Sequence, residues 1–203
     1  MKKLLTLIIL ISSIGMANAE EVKTSNNVPP HPYFSLKFGY GGVIATGPSG
    51  GRGYGGGGFG FSGIGAIGIQ KNIGVNSNLR TEIEYVYSAY TKTGYEYKPK
   101  IFLCNLYFDF ITNDNMVRPY IGFGLGRGDF VRISHYSYGS SRTEISSKIK
   151  IAFGIHFGVA VNITDKTYID FGFCYLSWDM RKQLGEKAFA HKIDGTIGIR
   201  YVF

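Results

Sequence analysis

The sequence predicts an all-β protein, an eight-stranded antiparallel transmembrane β-barrel. Three observations carry that expectation. The final residues alternate: Ile193, Gly195, Ile197, Ile199, Tyr201 and Phe203 share one face, while Lys192, Asp194, Thr196, Gly198, Arg200 and Val202 share the other. Side chains on a strand alternate between faces with period two, so this is an apolar wall backed by a polar one. The same pattern recurs in seven earlier segments. The connections between segments alternate between short and longer, the arrangement of outer-membrane barrels, whose short turns are periplasmic.

The chain opens with a segment to set aside before reading the fold. Lys2 and Lys3 precede an apolar run from Leu4 to Ile14, and Ala17-Asn18-Ala19 has the form of an export cleavage site. Residues 1–19 are therefore expected to be a signal peptide and 20–32 a periplasmic lead-in ending in Pro29, Pro30 and Pro32. The barrel is expected to occupy 33–203. Past the leader, no segment is apolar for the roughly 18 residues that a transmembrane helix needs. Charged residues are only 18% of the chain, and glycine is abundant, at 29 residues.

Each strand is placed by its alternation. The first, 33–44, puts Phe34, Leu36, Phe38 and Tyr40 on one face. The second, 59–70, does so with Phe59, Phe61, Ile67 and Ile69. The third, 79–90, sets Leu79, Ile83, Tyr85 and Tyr87 opposite Arg80, Glu82, Glu84 and Ser88. The fourth, 100–110, sets Phe102, Cys104, Leu106, Phe108 and Phe110 opposite Asn105, Tyr107 and Asp109. The fifth, 118–134, opposes Ile121, Phe123 and Leu125 to Tyr120, Gly122, Gly124 and Gly126. The sixth, 147–161, places Ile149, Ile151, Phe153, Ile155 and Phe157 outward and Lys148, Lys150, Ala152, Gly154 and His156 inward. The seventh, 167–181, turns Ile169, Phe171, Phe173 and Tyr175 outward, and the eighth is 190–203.

A soluble barrel of the lipocalin kind would show the same alternation with its apolar face inside. The polar face here carries many small residues, which suit a crowded interior, and the apolar face is uniformly bulky. The membrane polarity follows, with aromatics near the strand ends as an interfacial girdle. Cys104 then faces outward and Cys174 inward on a strand that is not its neighbour, so two free thiols are expected.

An eight-stranded barrel is just wide enough for side chains to fill. Its expected lumen holds Lys37, Arg80, Arg118, Lys148, Lys150 and Arg200 against Glu82, Glu84, Asp109, Asp170 and Asp194. Buried charges require partners. Strand direction brings Asp109 to Arg80 or Arg118, and Asp170 to Arg200, as structural ion pairs. The remaining basic residues gather on the loop side, Lys192 among them. Ligand-binding loops are expected at Arg52, Tyr54, Lys92, Tyr95, Tyr97, Lys98, Tyr136, Tyr138, Arg142, Lys182 and Lys187. Such a basic, aromatic rim suits lipopolysaccharide or an acidic host glycan or protein. No metal site and no cofactor is expected. An exported barrel without a recognition element is a poor nucleic-acid binder.

Gly58-Phe59-Gly60-Phe61-Ser62-Gly63 has the form of a dinucleotide fingerprint, but it enters a strand and no helix follows. Asn162-Ile163-Thr164 is a glycosylation sequon in form only, because it falls in an expected periplasmic turn.

The run Arg118-Pro119-Tyr120-Ile121-Gly122-Phe123-Gly124-Leu125-Gly126, the strand Asn105-Leu106-Tyr107-Phe108-Asp109 before it and the terminal Tyr201-Val202-Phe203 resemble the small OmpA/OmpX/opacity-type outer-membrane barrels. That resemblance implies residence in the outer membrane of a Gram-negative bacterium, as a monomer. It also implies insertion by the barrel assembly machinery, with Tyr201 and Phe203 as the assembly signal. The family includes adhesins, serum-resistance proteins, structural anchors and a few lipid A enzymes. His135 and Ser137, with Glu144 further on, resemble the H-x-S site of outer-membrane lipid A deacylases. Tyr138 stands where that family has Asn. The reading is a surface protein whose loops bind host molecules or lipopolysaccharide. The alternatives are a lipid A acyl hydrolase and, third, a narrow solute channel.

Overall fold

The computed structural model describes residues 29–46, 56–74, 76–92, 95–112, 116–135, 142–181 and 187–203. They form eight strands: β1 (His31–Thr46), β2 (Gly56–Gly74), β3 (Ser77–Lys92), β4 (Tyr95–Phe110), β5 (Val117–His135), β6 (Arg142–Thr164), β7 (Thr167–Arg181) and β8 (Lys187–Val202). Each strand pairs antiparallel with its sequence neighbours, and β8 closes on β1 to complete a barrel. The closing register sets Lys37 opposite Gly198 and Phe34 opposite Tyr201. The Phe203 amide donates to the Pro32 carbonyl at 3.0 Å, which fastens the chain end to the start of β1.

The strands run longer than their apolar alternation. β4 begins at Tyr95 rather than 100, and β5 and β6 reach His135 and Arg142, so half of the loop expected over 135–146 is ladder. Ladder hydrogen bonds join backbone to backbone, so pairing continues past the apolar belt where side chains turn polar. β1 likewise starts at His31, inside the expected lead-in.

The outer face is apolar. Leu36, Phe59, Ile67, Phe102, Leu125, Ile151 and Ile193 are each more than half exposed, on all strands but β3 and β7, and Ile83 and Phe173 supply those two. Monomeric soluble proteins rarely expose contiguous apolar patches beyond a few hundred Å², so this wall requires lipid. Cys104 lies half-buried on it and Cys174 is buried in the lumen, both as free thiols.

One irregularity changes which way side chains point. Gly126 pairs with Ala152, but Gly128 pairs with Ile149, so Lys150 and Ile151 together face Arg127. An extra residue in one strand is a β-bulge, and it reverses the parity of everything above it on β6. Ile149, expected outward, is buried, while Lys148 and Lys150, expected in the lumen, are exposed. The bulge is held from β7. Asp179 Oδ1 accepts both freed amides, Lys150 N at 3.1 Å and Ile151 N at 2.9 Å.

Candidate functional site in the lumen and at the loop end

The lumen is filled in two tiers. The tier nearer the chain ends is polar. Arg80 Nε donates to both Asp109 oxygens, at 2.9 and 2.7 Å. Arg200 reaches across to Asp109 Oδ2 at 3.4 Å and to Asp170 Oδ1 at 3.2 Å. Lys37 Nζ lies 3.8 Å from Glu82 and 3.7 Å from Glu84. Tyr33 donates to Glu82 at 2.7 Å, and the Asn105 amide donates to the same carboxylate. Aromatic rings take the remaining faces of the cations: Arg80 lies 4.4 Å from the Tyr107 ring centre and Arg200 4.8 Å from that of Tyr168. Arg118 does not join Asp109. Arg80 and Arg200 already occupy that carboxylate, and Arg118 is half-buried over Tyr168 at 5.0 Å.

Glycine makes room for these rings. A Cβ on Gly122 would collide with the Tyr107 ring, and one on Gly158 would meet the Tyr120 hydroxyl at 2.7 Å. Other inward glycines of these strands are set by different neighbours: a Cβ on Gly124 would meet the Asn105 amide, and one on Gly126 the Phe102 carbonyl.

The tier nearer the loops is mainly apolar. Val43, Ile64, Val86, Ile101, Leu103, Ile149, Leu176 and Trp178 pack together there with Tyr90, Tyr97 and Phe130. One polar knot sits among them. Asp194 accepts from Ser62, from Tyr90 at 2.8 Å and from Lys192 at 2.9 Å, and Lys192 also donates to Ser88 at 3.3 Å. Lys192, expected on the loop rim, is fully buried here because it shares the inward parity of Asp194. Tyr97, expected to bind ligand, is also buried, with its ring 6.0 Å from that of Phe130. The signal for both was in the alternation: Tyr97, Pro99, Ile101 and Leu103 continue the inward face of Asn105. The knot around Asp194 and the clamp of Asp179 on the bulge leave no mark on the alternation.

With these corrections, among the described residues the lumen holds Lys37, Arg80, Arg118, Lys192 and Arg200 against Glu82, Glu84, Asp109, Asp170 and Asp194, five of each sign. Charge balance of this kind is what a low-dielectric interior demands.

At the loop end, Lys92 is exposed at the tip of β3, and Lys98 is half-buried and paired with Glu96 at 2.7 Å. Tyr95, Arg142 and Lys187 open β4, β6 and β8. Arg52, Tyr54, Tyr136, Tyr138 and Lys182 lie outside the described residues. His135 ends β5 opposite Arg142, and Glu144 is exposed opposite Ile133. Ser137 lies outside the described residues. At the other end, Phe34 packs against Tyr201 and Phe203 with ring centres 6.0 and 6.1 Å apart. Among the described residues, no group of three or more His, Cys, Asp or Glu is placed to hold a metal ion.

A closed, apolar-walled antiparallel barrel with a filled, charge-balanced lumen defines a small outer-membrane β-barrel protein. The family profile described as Opacity family porin protein matches residues 74–203, nearly two thirds of the chain. The chain belongs to that family, and it resides in the cell outer membrane. Among solved structures, Neisserial surface protein A is similar at a TM-score of 0.61 and 20% identity, over 85% of this chain and 97% of that one. The attachment invasion locus protein Ail of Yersinia pestis aligns at a TM-score of 0.41 and 16% identity, over 84% and 98%. The N-terminal barrel domain of OprF from Pseudomonas aeruginosa aligns at 0.42 and 12%, over 83% and 97%. No curated protein sequence matches.

Proposed function

We propose that this barrel is a surface-exposed binding protein whose basic, tyrosine-bearing extracellular end captures polyanionic host molecules, in the manner of an adhesin. The observation that carries this reading is the charge balance of the lumen. With residues 1–19 removed as a leader, the chain keeps 20 basic and 14 acidic residues. The described lumen takes five of each and so holds none of the surplus, which leaves six more basic than acidic residues to the rest of the chain. Polyanions are drawn to such a surface, and the attraction weakens as salt is added.

The apolar tier argues against the channel alternative. Trp178, Leu176, Leu103 and Ile101 are all buried within it. The lipid A hydrolase alternative would need Ser137, which lies outside the described residues, and no described contact favours it. Assembly by the barrel machinery through Tyr201 and Phe203 belongs to the same proposal.

Heparin binding to cells displaying the protein tests the reading. Binding should fall as salt rises from 50 to 300 mM, and should drop severalfold when Lys92, Lys98, Lys182 and Lys187 are all changed to Gln. Binding that matches that of cells lacking the protein, at every salt concentration, would refute it.

A further inference from the structure

The bulge adds two cations to a stretch of outer wall where the alternation of the sequence puts only Lys100 and Arg127. Lys148 and Lys150 emerge on the outer wall of β6, and Arg127 stands exposed beside them on β5. Lys100 on β4 faces the same wall. In the register it lies opposite Asp129, which in turn lies opposite Lys148. Four cations thus surround one carboxylate on three adjacent strands. Arg127, Lys148 and Lys150 form no ion pair among the described residues, although Asp129 is the acidic neighbour within reach of the register.

Their height sets what they meet. Arg127 stands about ten residues above Val117, the first residue of β5 after the short turn. A strand rises about 3.3 Å per residue, and a tilt of about 40° leaves about 2.5 Å of that along the membrane normal. Arg127 is then about 25 Å above the periplasmic edge, which is the height of the apolar band of such barrels. The wall immediately below agrees: Phe102, Leu125 and Ile151 are exposed and apolar. The cations sit where acyl chains end and headgroups begin. They point sideways into that layer, not upward into the medium.

We propose that Lys100, Arg127, Lys148 and Lys150 form a lateral site for the phosphates of the outer-leaflet glycolipid, a phosphorylated and acylated disaccharide. Its acyl chains lie along the apolar wall below, and its phosphates lie against the cations. Lys and Arg close to a membrane surface attract anionic lipid headgroups, and the contributions of neighbouring cations accumulate. Asp129 spaces the cations and offsets part of their repulsion. The bulge is the device that builds the site, because an unbroken β6 would turn Lys148 and Lys150 into a lumen that is already balanced. The site is separate from the loop tips, so it rests on the outer-membrane location and not on host-molecule capture.

The test uses the full barrel folded in a neutral detergent and offered three lipids: diphosphoryl lipid A, its dephosphorylated form and phosphatidylcholine. Native mass spectrometry reads the fraction of protein retaining each. Wild type should hold the diphosphoryl form in preference to the dephosphorylated one by on the order of tenfold or more. Changing Arg127, Lys148 and Lys150 together to Gln should abolish that preference while heparin binding by the loops persists. The comparison between lipids on the wild-type protein needs no variant, so a misfolded triple substitution does not shelter the idea. Equal retention of the phosphorylated and dephosphorylated forms by wild type would overturn the proposal. So would a folded triple variant with unchanged preference.

Discussion

Asp109 is the residue whose removal should harm the barrel most. Its carboxylate accepts two bonds from Arg80 Nε, at 2.9 and 2.7 Å, and one from Arg200 at 3.4 Å. All three side chains are about 1% exposed. In Asp109→Ala, Arg200 keeps Asp170 at 3.2 Å, but Arg80 keeps only Glu82, at 4.0 Å, which Lys37 and Tyr33 also use. The stranded group is therefore Arg80. Breaking a buried pair by removing one partner costs about 3–5 kcal/mol. The surviving contact of Arg80 with the Tyr107 ring, 4.4 Å away, argues for the lower end of that range. Asp109→Asn keeps the shape and one acceptor oxygen and should cost less. The assay is urea unfolding in lipid bilayers, followed by tryptophan fluorescence. Trp178 is the only tryptophan and is buried in the lumen, so its emission reports barrel opening. A loss below about 1 kcal/mol for Asp109→Ala would refute the view that this carboxylate neutralises the two arginines. An Arg80→Met companion sharpens the test. Removing both partners together should cost less than the sum of the single losses.

Two further substitutions probe the glycine face and the bulge. Gly122→Val places two methyl groups where the Tyr107 ring lies, so the ring must leave Arg80, and overpacking should cost about 1–3 kcal/mol in the same unfolding assay. Asp179→Ala deprives the bulge amides of Lys150 and Ile151 of their acceptor, a loss of about 1–3 kcal/mol per unsatisfied group. If β6 then regains a regular ladder, a cysteine introduced at Lys148 in a Cys104→Ser background should become several-fold slower to react with a water-soluble thiol reagent. An unchanged rate and unchanged stability would show that Asp179 does not hold the bulge.

Much of this barrel could be read from period two because both faces of a membrane barrel are constrained. Lipid excludes polar groups outside, and the lumen excludes unpaired ones inside. That double constraint is why Phe34, Phe102 and Ile193 sort from Lys37, Asp109 and Asp194 by parity alone, and why Arg200 could be set beside Asp170. The rule fails where the backbone, not the side chains, decides. Nothing in Lys148-Ile149-Lys150-Ile151 announces an extra residue, since two lysines and two isoleucines alternate well in either phase. The inward apolar tier was hidden for the opposite reason. Val86, Ile101, Leu103 and Trp178 keep the parity of their polar neighbours, but an eye set for charge reads them as exceptions. The loop tips follow no period, so the end of the molecule proposed to bind is the part that alternation cannot reach.

The two tiers of the lumen also explain why the bulge sits where it does. Below it, the inward positions from Gly122 to Gly126 on β5 and from Ala152 to Ala160 on β6 are glycine, alanine or His156, which leaves width for Tyr107 and Tyr120. Above it, the wall must supply bulk to meet Phe130 and Trp178, whose ring centres lie 6.4 Å apart. A regular β6 would send Lys148 and Lys150 into that apolar tier, far from the carboxylates of the lower one, at the cost of two unpaired buried charges. The inserted residue sends Ile149 inward beside Ala152 and both lysines out. One backbone irregularity, clamped by Asp179, therefore completes the apolar plug and charges the outer wall at headgroup height. The two consequences are inseparable. A variant that straightens β6 should lose stability and phosphorylated-lipid retention together, while one that only neutralises Lys148 and Lys150 should lose the second and keep the first.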